Sequence, residues 1–167
     1  MSLDLRSILP DLLPRAIAWA ETQSQHVAKL GQTLDTTGLA IARSVGVKRP
    51  DRVRVNLVDQ LPLPVDPLLL QAALETGLLG PSMVGLTLGY SIFIVSGHDS
   101  PRLLSHECRH VYQYELLGSI TEFLAVYLEQ IVTTGYRDAP LEVDARSYER
   151  DVAQRVAASH LINTGAR

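Results

Sequence analysis

The chain has one cysteine, Cys108, among 167 residues, which excludes an intrachain disulfide framework and any demand for an oxidising compartment. It also lacks an excess of positive charge. With 15 Lys and Arg against 18 Asp and Glu, its net charge of −3 offers no general attraction to nucleic acid. Its basic cluster, Lys48, Arg49, Arg52 and Arg54 around Asp51, reads as a solvated turn and strand face. No stretch reaches about 18 uninterrupted apolar residues, the length a membrane-crossing helix needs. The first residues, Met1-Ser2-Leu3-Asp4-Leu5-Arg6, carry no basic leader followed by an apolar run, so a cytoplasmic protein without a membrane partner is expected. Internal repeats and low-complexity segments are missing too. Aromatics are few at 5%, yet 46% of the residues are hydrophobic, enough for one sizeable core and one domain over 1–167.

Hydrophobic periodicity divides that domain into N-terminal helices (1–50), strands with one helix (51–100) and a second helical set (101–167). Pro10, Asp11 and Pro14 interrupt any apolar run behind the first residues, and Leu13, Ile17, Ala20 and Val27 place an amphipathic helix over Leu12 to Leu30 that ends near Gly31, with His26 on its polar side. A shorter helix is expected from Thr37 to Ser44. Arg52 to Leu57 alternates polar and apolar as a half-buried strand does, and Leu61-Pro62-Leu63-Pro64 must be an extended connection. Asp66 and Pro67 open a helix that closes near Gly77. Leu86 to Val95 is the strongest strand, with Gly85 and Gly89 allowing a bulge or the close approach of another chain. Ser100 and Pro101 start a helix that Gly118 stops, and Ser119 with Glu122 forms a capping box for the next. That helix, running through about Thr133, should be buried. The last runs from Pro140 to about Leu161, with His160 near its end.

The most informative stretch is His106-Glu107-Cys108-Arg109-His110. On a helix, residues four apart point about 40° from one another, so both imidazoles can close on one metal ion while Glu107 stands beside them. That is the arrangement a hydrolytic zinc site needs, with Glu107 taking a proton from a metal-bound water. Cys108 lies about 200° around from His106 and reads as a small core residue. Catalytic zinc usually has three protein ligands, and the best third candidate is Glu142, in the first turn of the Pro140 helix. Asp144 points about 160° away from it.

The run LLSHECRHVYQYE, followed by GY and APLEVDAR, resembles bacterial zinc metallopeptidase domains with HExxHVxQ and a downstream P-L-E-x-[ED]-A, and more broadly the gluzincins. The resemblance covers roughly residues 83 to 150. It implies an α+β, zincin-like domain, mainly helical, with a small sheet next to the HExxH helix. It implies Zn2+ held by His106, His110 and Glu142, Glu107 as general base, and a peptide or protein substrate; by the same analogy Thr87 to Ser91 line the cleft, with a plain role in the sheet as the alternative. Two positions depart from that pattern. Arg109 is charged at an inner position, and Arg146 replaces an Asp that would accept a hydrogen bond from a ligand histidine. Support for the imidazoles must then come from elsewhere, with Glu149, Asp99 or a backbone carbonyl available. Oxyanion donors are sought among Tyr136, Tyr148, Tyr114 and Arg146. His98 falls on a loop surface. The expected activity is amide hydrolysis, and the alternative is a zinc-binding module for partner recognition with little turnover.

Overall fold

The computed structural model describes residues 2–149, and within them the chain is α+β, with a small mixed sheet among helices. Helix α1 spans Leu5–Leu30 and is followed by the two-residue strand β1, Gln32–Thr33. Helix α2 is Thr36–Ser44, strand β2 Arg54–Val58 and helix α3 Pro67–Thr76. Strands β3, Gly85–Leu88, and β4, Ser91–Val95, precede helices α4, Pro101–Leu117, and α5, Ile120–Thr134. A further helix, α6, occupies 140–149. The expected end of that helix near Leu161, and His160, lie outside the described residues.

Most boundaries follow from local chemistry. Asp35 caps α2 by accepting from Gly38 N, and Asp66 caps α3 through Leu68 and Leu69 N with Pro67 in the first turn. Ser100 caps α4, and Gly118 ends it in the left-handed region. The Ser119 side chain accepts from Glu122 N, as its capping pattern requires.

Three sequence expectations need correction. Helix α1 begins at Leu5, one turn ahead of Pro10, and carries both prolines internally. Each proline removes one helical hydrogen bond, but Arg6, Pro10 and Pro14 all lie on the exposed face, where water can satisfy the freed carbonyls. Strand β2 starts two residues late because Pro50–Arg52 forms a 3-10 turn closed by Val53 N on Pro50 O. The long strand over Leu86 to Val95 is a hairpin. Gly89, at φ 69, turns the chain so that Leu88 pairs with Ser91.

The sheet order is β1-β2-β4-β3, with β2 and β4 parallel and β3 on one edge. Every residue of β4 but Val95 is buried, as befits a strand covered on both faces. Ile92 and Ile94 pack with Ile41, Val45, Cys108 and Val111 of α2 and α4. Phe93 joins Ala20, Val27, Phe123 and Leu124 of α1 and α5 in a second cluster. The sheet therefore separates the front of α4 from α1, and α5 departs from α4 at a 114° bend to pack on α1. Among the described residues no single helix is long and apolar enough to cross a membrane.

Gly89→Ala isolates the hairpin requirement. A Cβ there meets nothing closer than 3.5 Å, so the cost comes from the backbone alone. The variant should lose about 1–2 kcal/mol of stability, read as a lower urea midpoint at unchanged slope.

Candidate metal centre

The two histidines arrive already paired, because α4 holds them one turn apart. Their Nε2 atoms lie 3.1 Å from each other. Helix α6 supplies the third group: Glu142 Oε1 is 3.1 Å from His110 Nε2, and Oε2 is 3.3 Å from His106 Nε2. All three residues are buried, Glu142 at 1% exposure. His106, His110 and Glu142 thus form a group that could hold a metal ion.

The outer nitrogens show that this is more than proximity. His106 Nδ1 lies 2.8 Å from Glu149 Oε1, and a carboxylate can only accept, so Nδ1 carries the proton. Glu149 is itself held by Arg102 Nε at 2.7 Å. His110 Nδ1 lies 2.7 Å from Gln113 Oε1. With both Nδ1 atoms donating, neutral imidazoles turn two bare Nε2 lone pairs toward each other and toward a carboxylate. Such an arrangement is repulsive unless a cation or a proton sits between them. Among the described residues, Glu142 Oε2 is moreover buried with no hydrogen-bond partner. A tetrahedral ion with ligand distances of about 2.0–2.1 Å would space its ligands by about 3.3–3.4 Å, close to the separations found.

Titration reflects the same cluster. Burial alone would push His106 down, but the neighbouring carboxylates of Glu142, 3.3 Å away, and Glu149, together with the Glu107 charge, raise it to about 10. Burial would raise Glu142, yet the two histidines hold its carboxyl well below the ordinary range. In the metal-free protein a proton on His106 takes the cation's place.

Glu107 does not join the three. Its carboxylate is clamped beside them by the Thr87 hydroxyl, which donates to Oε2 at 2.6 Å. Beneath it lies Gly85, where an added Cβ would fall 2.8 Å from Cδ of Glu107 and closer still to Oε1. The glycine is there for approach, as its sequence position suggested, and the approaching group is the Glu107 side chain.

The remaining candidates separate cleanly. Tyr136 lines the cleft, and burial followed by the charges of Glu142 and Glu107 pushes its hydroxyl well above the ordinary value, keeping it a donor. Arg146 points Nη1 at Glu142 Oε2 from 3.5 Å and donates through Nη2 to Arg137 O. Tyr148 lies over the Arg109 guanidinium at 3.7 Å, behind α4, and Tyr114 packs edge-on against Tyr90. His26, His98 and Asp99 are exposed, and Cys108 is buried, which pushes its thiol up.

Sequence reasoning missed three contributors. Tyr127 donates to Glu142 Oε1 at 2.7 Å, although its place in an apolar helix marked it as core. Thr87 was placed on the cleft, but its hold on Glu107 was not foreseen. Gln113 stands in the quoted HExxHVxQ pattern without an assigned task; its spacing of three from His110 was the available signal.

An open cleft with a cavity of about 130 Å³ leads away from this centre. Its walls are the apolar faces of α1, α3 and α5, for instance Leu12, Trp19, Leu69 and Leu128, together with all four residues of β3. Among the described residues no Lys or Arg lines it, and Glu107 and Glu142 are its acidic groups. Compared with protein-family models, with curated proteins and with solved structures, the chain matches none.

Metal binding must displace the His106 proton. Because that group stays charged up to about pH 10, affinity for a divalent ion should rise about tenfold per pH unit between 7 and 9, with close to one proton released per ion in calorimetry. The same shift stabilises the metal-free fold fully below pH 6.5, and this stabilisation should fade as pH rises toward 10.

Proposed function

We propose that this chain is a zinc metallopeptidase of gluzincin type, cleaving peptide bonds within apolar stretches of a peptide or protein. One observation carries the reading. Two imidazoles and a buried carboxylate converge at 3.1–3.3 Å with a fourth group, Glu107, clamped beside them at the head of an open cleft. Two nitrogen ligands and one oxygen ligand suit Zn2+ and leave a fourth position for water or substrate. When bound, the ion supplies Lewis acidity, bringing a water toward neutral pKa and polarising a carbonyl.

The chain's own residues then divide the work. Glu107 accepts the proton as water attacks the carbonyl and delivers it to the leaving amine, while Thr87 keeps the carboxylate aimed. Tyr136 donates to the oxygen that becomes negative; of the four candidates it is the one that lines the cleft. Glu149 and Gln113 orient the histidines. Strand β3 lies on the sheet edge along the cleft, so an extended substrate backbone can add to it. The apolar walls favour hydrophobic side chains around the cleaved bond.

Purified protein should bind close to one Zn2+ per chain, lost in His106→Ala. Screening against a library of peptides with apolar central residues should give cleavage that Glu107→Gln reduces by 10²-fold or more while zinc stays bound. Gly85→Ala should do the same, because its Cβ evicts the Glu107 carboxylate without touching a ligand. Zinc bound with cleavage equal in wild type and Glu107→Gln would instead favour the binding module, and no bound zinc would end both readings.

A further inference from the structure

We infer that Gln113 is a positioning residue that selects the tautomer of His110 and seats Glu142 at the same time, acting as the last link of a chain running from Arg109 through Asp144. An amide has a donor end and an acceptor end, and whichever faces Nδ1 of His110 decides which ring nitrogen keeps the proton. The donor end of Gln113 is already committed. Nε2 donates to Leu141 O at 2.9 Å and to Asp144 Oδ2 at 2.8 Å. Turning the amide over would set Oε1 against a carbonyl and a carboxylate, two repulsive contacts in a side chain only 3% exposed. Oε1 is therefore directed at His110 Nδ1, which must donate, and Nε2 is left with the lone pair a metal needs.

Leu141 O is the carbonyl immediately before Glu142, so the amide that orients a histidine on α4 also fixes the first turn of α6 beside the carboxylate. Asp144 owes its own position to Arg109, whose Nε and Nη2 reach its two oxygens at 2.8 and 3.2 Å. Arg109 in turn donates to Val45 O, at the end of α2, and lies between the Tyr112 and Tyr148 rings at 4.0 and 3.7 Å. The arginine that looked misplaced in the sequence anchors the chain of contacts. His106 needs no such selection, because Glu149 has no donor end to offer.

This inference deepens the zinc reading and rests on it for its affinity arm, whereas its tautomer arm is read without metal. In 15N-labelled metal-free chain, long-range imidazole spectra should place the His110 proton on Nδ1 with Nε2 bare. Gln113→Met should give a mixed or switched His110 tautomer, leave Nδ1 of His106 protonated, and weaken Zn2+ binding about 10- to 100-fold in competition titrations. Gln113→Glu keeps an acceptor for Nδ1 but sets a carboxylate against Leu141 O and Asp144. It should retain the tautomer and still lose Zn2+ affinity, separating the two tasks. If Gln113→Met fails to fold, Asp144→Ala carries the test, since that side chain is 36% exposed and its loss opens no cavity; the same changes are expected in smaller measure. An unaltered His110 tautomer in Gln113→Met, or in Asp144→Ala where that variant stands in, overturns the inference, as does Zn2+ affinity within about threefold of wild type. Wild-type chain that binds no Zn2+ would sink the metallopeptidase reading while the tautomer result stood on its own.

Discussion

Two imidazole nitrogens with bare lone pairs, 3.1 Å apart and closed in by a buried carboxylate, constrain this molecule more than any other contact. Left without a cation or a proton, that cluster would cost several kcal/mol, because each group has been taken out of water and turned toward others of like polarity. The protein tolerates it by fixing the outer side of each ring. Glu149 and Gln113 take the Nδ1 protons, and Tyr127 donates to one oxygen of Glu142. What is left over is a single shared demand for positive charge, met by the His106 proton in the metal-free protein.

The fold follows from bringing the third group to the first two. Helix α4 supplies both histidines without further cost, since adjacent turns place them together. Glu142 lies 32 positions beyond His110, and the chain must turn back on itself to deliver it. Helix α5 does this by burying Phe123, Leu124 and Ile131 while its 114° departure from α4 carries the chain onto α1. Arg109 and Asp144 then draw α6 onto α4 across a gap where an apolar contact would give closeness without orientation.

Much of this was legible in the residues. The HExxH spacing, the acid in the first turn after Pro140 and the capping pairs at Ser100 and Ser119 depend on chemistry within one or two helical turns, which a sequence displays directly. Glu149 was among the few acids in reach of a ligand. The hairpin at Gly89 was hidden because β4 is buried on both faces and β3 is only four residues long, so no change of period marks the turn. Strand β1 is two residues long and has no period to read. Tyr127 and Thr87 act through contacts 15 and 20 residues away in sequence, and nothing local distinguishes a tyrosine bonded to a carboxylate from one packed in a core. Pro10 and Pro14 misled because what decides their tolerance is the exposure of the carbonyl each one orphans, a property of the folded helix.

The separation of tasks along the chain has a mechanical consequence. The candidate ligands come from 106–142 on two helices joined by a third, whereas Glu107 is aimed by Gly85 and Thr87 on β3 and the cleft walls come largely from α1 and α3. Ion binding and the aim of the base are therefore set by different packing contacts. Disturbing β3 moves a carboxylate that is not a ligand; disturbing α6 moves a ligand and leaves the base where it was. Sites more than about 7–10 Å apart that share no partner respond nearly independently to substitution, but these two meet on α4 at adjacent residues, His106 and Glu107. Helix α4 is thus the element through which strain could pass from one to the other, and its burial from Ser105 to Val111, with Cys108 and Val111 in the core, is what keeps the coupling stiff.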